Sequence, residues 1–123
     1  MIARKKMKIL VVDDEESIRT LLQKVLAREE RTILMAEEGA LAIKMFRRER
    51  PDITILDLRM PDVSGIDILK EIRAIDPVAT VIVYSGALGE TMERQLRALG
   101  VNDFVAKGES LHPLEQALTP VPS

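Results

Sequence analysis

Cysteine is absent from the 123 residues, which excludes disulfides, thiolate catalysis and cysteine-ligated metal centres. A basic excess is absent too: 18 Lys and Arg stand against 20 Asp and Glu, a net charge of -2. Affinity for nucleic acid rests on clustered cations that release counterions from phosphates, so this chain alone is not expected to bind it. Long apolar runs are also missing. The uncharged stretch Val78–Gly89 is too short to span a bilayer. Arg4, Lys5 and Lys6 precede only the apolar Ile9–Val12 before Asp13 interrupts, too little for a signal peptide. No membrane association is expected, and the chain reads as a cytoplasmic domain.

What is present is a set of apolar runs that end on acids. Lys8–Val12 stops at Asp13 and Asp14, and Ile53–Leu56 stops at Asp57. In an open parallel sheet, neighbouring strands deliver their C-terminal ends to one crevice, where ligands bind. Asp13, Asp14 and Asp57 then crowd together. Two bare charges ~4 Å apart repel by roughly 4 kcal/mol at the effective dielectric of a protein surface. A hard divalent cation held by oxygen ligands is the simplest compensation.

Strand-like runs alternate with helical ones, the pattern of βα units around a parallel sheet. A first helix carries Ile18, Leu21, Leu22, Val25 and Leu26 at helical spacing, and Thr32–Ala36 is a short second strand. A helix opens at Gly39 with Leu41, Ala42, Met45 and Phe46. Arg47, Arg48 and Arg50 suit the negative end of its dipole, and Pro51 stops it. The loop Leu58–Ser64 holds Pro61 and leads past Gly65 into a helix with Ile68, Leu69, Ile72 and Ile75. Val81–Tyr84 is a fourth strand, apolar as expected when helices cover both faces. Met92, Leu96 and Leu99 mark a fourth helix closed by Gly100. Asp103–Ala106 is a fifth strand, and a short helix follows over Leu111–Leu118. One domain over residues 1–118 is expected. Residues 119–123, with two prolines, read as a tail or the start of a linker.

These residues together resemble the receiver domain of bacterial two-component response regulators, over roughly Lys8–Leu118. The resemblance rests on Asp13-Asp14, on Asp57 followed by Pro61 and Gly65, on Ser85, and on Phe104 with Lys107. It implies an α/β, doubly wound, flavodoxin-like sheet of five parallel strands in the order 2-1-3-4-5, with five helices. It implies Asp57 as phosphoacceptor and Asp13, Asp14, Asp57 and the backbone carbonyl of Arg59 as ligands of magnesium, with manganese an alternative. Ser85 and Lys107 match the groups that contact the phosphoryl, and Ser85 with Phe104 the pair that switches on activation. The implied partners are a sensor histidine kinase or phosphotransfer protein and an effector protein or covalently linked output domain. A homodimer through the fourth helix, fifth strand and fifth helix is a further implication.

The chemistry stands without the name. A carboxylate can accept a phosphoryl group as a nucleophile, and such transfer is mostly positioning and electrostatics. Taken singly, the residues have plainer readings: Asp13 and Asp14 as a helix cap, Ser85 as a polar strand end, Lys107 as a solvated lysine, Phe104 as core. His112, before Pro113, reads as a helix-start or exposed residue, not as a phosphohistidine. The chain departs from the family pattern at Gly108, where proline usually follows the lysine, and in its short last helix. Arg59 is a long cation beside the site, expected with Ala87 to alter how long the phosphoryl survives. It also stands where aspartyl-phosphate phosphatases carry a second aspartate, which argues against that activity. A receiver-fold scaffold without phosphotransfer is the remaining alternative.

Overall fold

The central strands are nearly pure aliphatic because both of their faces are covered. In the computed structural model, which describes residues 6–86, 88–108 and 110–118, these are β1 (Met7–Val12), β3 (Ile53–Leu56) and β4 (Thr80–Ser85). They are flanked by β2 (Arg31–Ala36) and β5 (Asp103–Ala106) in one parallel sheet of order β2-β1-β3-β4-β5. The helices are α1 (Glu16–Leu26), α2 (Gly39–Glu49), α3 (Gly65–Ile75), α4 (Glu90–Ala98) and α5 (His112–Leu118). This is the doubly wound order that the resemblance to receiver domains implies, built from the βα units that the alternation of runs shows.

Alternation along each strand sorts the core into two layers. Leu10, Val12, Leu56, Val81 and Val83 meet Phe46 of α2, Ile68, Leu69 and Ile72 of α3, and Leu96 of α4. Ile9, Val11, Ile55, Ile82, Tyr84 and Val105 meet Leu22 and Leu26 of α1 and Leu114 and Leu118 of α5. Burying one such side chain contributes about 1.5–3 kcal/mol relative to exposure. Two leucines of the expected apolar stripes lie outside these layers. Leu21 is 40% and Leu41 39% exposed, each one residue, and hence about 100° of helix, before a buried position.

Three tethers hold the loops at the C-terminal edge and behind it. Asp62 accepts from the amides of Gly39 (2.8 Å) and Ala40 (3.0 Å), placing an anion at the N-terminus of α2. Ser64 caps α3, its Oγ accepting from the Asp67 amide at 3.2 Å. Arg73 of α3 donates to the carbonyls of Ala79, Leu99 and Gly100 at 2.6–2.7 Å and so closes the end of α4. Gly65 is required by close approach, since a Cβ there would collide with the Leu58 backbone.

The helix-cap reading of Asp13 and Asp14 gives way to a different arrangement. Helix α1 starts later, with Glu15 at its N-cap and no side-chain cap, while Asp13 Oδ1 accepts from the Glu15 amide at 2.9 Å. Gly108 adopts φ +86°, a left-handed conformation closed to proline, so the chain leaves Lys107 by a route that the usual proline cannot take. His112 is exposed at the first position of α5, its amide donating to Ser110 Oγ at 3.1 Å, as the plain reading has it. Ala87 and residues 119–123 lie outside the described residues.

Candidate functional site

Parallel strands ending side by side bring Asp13, Asp57 and Ser85 together within the crevice at the sheet's C-terminal edge. All three are buried, at 1%, 3% and 2% exposure. The Asp57 amide donates to the Val12 carbonyl and the Asp13 amide to the Ala36 carbonyl, so the sheet ladder itself fixes both aspartates. Ser85 donates its hydroxyl to Asp57 Oδ1 at 2.9 Å, and the Arg59 amide donates to the same oxygen at 3.2 Å. Lys107, one residue past β5, donates its amide to the Ser85 carbonyl, which points its side chain across the strand ends.

The ammonium of Lys107 meets three carboxylates: Asp13 Oδ2 at 2.8 Å, Asp57 Oδ2 at 3.0 Å and Glu15 Oε1 at 3.2 Å. An ammonium has three donors, so each is engaged. The plainer reading of Lys107 as a solvated lysine, taken singly, does not hold: long-range pairing draws its ammonium into the crevice, with the aspartates of the expected site. Burial opposes its charge, but the hydrogen bonds and charges of Asp13 and Asp57 outweigh burial and raise its pKa above the ordinary lysine value. Burial pushes the Asp13 carboxyl up, and the nearby Asp57 charge adds to this. Hydrogen bonds from Lys107 and the Glu15 amide work the other way.

The crevice opens into a cleft of about 290 Å³ lined by Asp14, Glu15, Asp57, Arg59, Gly86 and Lys107. One carboxylate oxygen each from Asp13, Asp14, Glu15 and Asp57 lies within 4.8 Å of the others. An all-oxygen, anionic donor set of this density fits a hard divalent cation, which takes carboxylate, carbonyl and water ligands. Glu15 is the site residue that sequence reasoning missed. It directly follows the two aspartates, and that adjacency is the signal that points to it.

Phe104 stands apart from the cleft. It is half-buried, packed against the layer formed with α2, α3 and α4, so the plain core reading covers only part of the ring. It pairs with Val83, while Ser85 pairs with Ala106. Ser85 and Phe104 therefore project from the same face of the sheet, on adjacent strands and two positions apart.

The sequence profile of the response regulator receiver domain matches residues 9–119, and the chain belongs to that family, the receiver domains of two-component signalling. It is 36% identical over 112 residues to sporulation initiation phosphotransferase F of Bacillus subtilis, covering 90% of each chain. It is 33% identical over 101 residues to the chemotaxis protein CheY of the same organism, covering 81% of this chain and 84% of CheY. The alkaline phosphatase synthesis regulatory protein PhoP of Bacillus subtilis is 38% identical over 101 residues, but there the chain spans only 42% of the relative. Among solved structures, the receiver domain of a LuxO-type repressor from Vibrio parahaemolyticus superposes with a TM-score of 0.85 at 29% identity, covering 91% and 86% of the two chains. No helix among the described residues is long and apolar enough to cross a membrane.

Proposed function

We propose that the domain, residues 1–118, is a cytoplasmic phosphorylation switch with Asp57 as its phosphoacceptor. One observation carries this reading: the Asp57 carboxylate is buried at the floor of an open cleft, with one oxygen bonded by the Ser85 hydroxyl and the other by the Lys107 ammonium. Those two groups are the rotatable donor and the compact cation that a transferred phosphoryl needs. An Asp57 oxygen forms the new O–P bond as the P–N bond of a donor phosphohistidine breaks, and the imidazole leaves as the donor's neutral side chain after taking up a proton. Asp13, Asp14, Asp57 and the Arg59 carbonyl would hold magnesium or manganese, with Glu15 at the rim. When bound, the ion neutralises the crowded carboxylates and the charge developing on the phosphoryl oxygens.

The donor is a sensor histidine kinase or phosphotransfer protein, and the chain is a signalling module without turnover on an external substrate. Ser85, drawn to the phosphoryl, makes room on its own face of the sheet for Phe104, which alters the surface formed by α4, β5 and α5. An effector, a linked output domain or a second copy of the chain reads that surface. Moving a two-state equilibrium from 1:99 to 99:1 takes about 5.5 kcal/mol. A few charge-assisted hydrogen bonds, at ~1.5–3 kcal/mol each, suffice.

Intact mass after incubation with acetyl phosphate tests the reading. One added phosphate is expected with magnesium, none with chelator, and none in Asp57→Asn. An adduct that persists in Asp57→Asn would refute the assignment. Failure of the parent protein to form any adduct would favour the scaffold alternative.

A further inference from the structure

The switching aromatic does not sit alone at the surface. Arg97, exposed in the last turn of α4, places its guanidinium over the Phe104 ring, 5.0 Å from the ring centroid. This lies within cation–π range, about 6 Å. Among the described residues no carboxylate pairs with Arg97, and its guanidinium donates no hydrogen bond, so the ring is the partner that its charge has. The contact bridges α4 and β5, two elements of the surface that the switch reading makes variable.

We propose that Arg97 is a positioning residue for the switch. Stacked over Phe104, it holds the half-buried ring at the surface and opposes its movement inward toward the space beside Ser85. A ring drawn fully into the core leaves a guanidinium that is itself anchored in solvent. The stacking is therefore lost on activation and biases the unphosphorylated domain toward its resting form. The inference rests on the switch reading of Ser85 and Phe104. It goes beyond that reading by naming the group that sets the resting equilibrium and by tying it to α4.

The chain contains two phenylalanines, Phe46 and Phe104, and Phe46 lies fixed in the core at 1% exposure. Fluorine NMR of protein labelled with 4-fluorophenylalanine therefore gives one reporter at the switch and one internal reference for the fold. Parent, Arg97→Gln and Arg97→Lys proteins are each titrated with beryllium trifluoride, a phosphoryl mimic, in magnesium buffer. The mimic is expected to move the Phe104 signal and leave that of Phe46 in place. Arg97→Gln should reach half-conversion at about two- to fivefold lower mimic concentration, the size of an exposed cation–π contact. Arg97→Lys, which keeps the charge, should stay near the parent. Equal midpoints in Arg97→Gln and the parent would refute the latch while leaving the switch intact. A parent Phe104 signal that stays still after the mimic has bound would overturn the switch reading, and the latch with it.

Discussion

Lys107 holds its Nζ 3.0 Å from Asp57 Oδ2 across 50 residues of sequence, and the same nitrogen lies 2.8 Å from Asp13. One cation thus compensates two carboxylates that the sheet ladder forces into one buried crevice. Removing it leaves both anions buried and unpaired. Lys107→Ala is expected to lose about 3 kcal/mol of stability in chelator, read as a lower urea midpoint. Magnesium should restore much of that loss, because a divalent ion compensates the same carboxylates. A loss that magnesium leaves untouched would remove the four-carboxylate cluster from consideration as a cation site.

Asp62 should make the protein's stability sensitive to acid. The amides of Ala40 and Gly39 hold its carboxyl below the ordinary value of 3.8. A carboxyl with a depressed pKa in the folded state contributes stability above its unfolded pKa, and that contribution is lost as pH falls through the folded one. Asp62→Asn is therefore expected to be less stable than the parent at pH 5–7, the gap closing below about pH 3.8. Urea titrations of both proteins at pH 7, 5 and 3 check this. A gap that is the same at all three would assign the effect to packing.

Thr54 is fully buried in β3, and its Oγ1 has no hydrogen-bond partner among the described residues. A buried hydroxyl left unpaired costs on the order of 1–3 kcal/mol. Thr54→Val keeps the shape and the β-branched strand preference, and is expected to raise stability by about 1 kcal/mol. Thermal unfolding reads this as a midpoint a few degrees higher. A lower midpoint would show that the hydroxyl is paired in solution.

Gly65→Ala should disturb the loop after Asp57, because the added methyl meets the Leu58 backbone. The Gly65 amide also donates to the Leu58 carbonyl at 3.0 Å, so helix start and loop cannot separate without losing that bond. A destabilisation of more than about 2 kcal/mol is expected, along with weaker magnesium binding through displacement of Arg59. Magnesium affinity equal to that of the parent would uncouple this turn from the site.

The order of elements, the family and most of the residues that gather in the candidate cleft were legible in the sequence because each rests on a short-range signal. Apolar strands ending on Asp13 and Asp57 and helical stripes such as Ile68, Leu69 and Ile72 require no knowledge of the fold to see. The stripes overreached at Leu21 and Leu41, since periodicity shows which residues share a face but not how wide a sector the sheet covers. Glu15 directly follows Asp14, yet its place in the cleft depends on a pairing with Lys107 that spans 92 residues.

The sequence by itself determined which residue types end each strand and hence that acids, a hydroxyl and a lysine would converge. Only the tertiary structure decided that one ammonium is shared among Asp13, Glu15 and Asp57, that Asp62 ties the loop after Asp57 to α2, and that Arg97 covers Phe104. The physical reason is the same in each case. Strand and helix signals arise from residues a few positions apart, whereas distances between charges far apart in the chain exist only after the sheet has set its strand order.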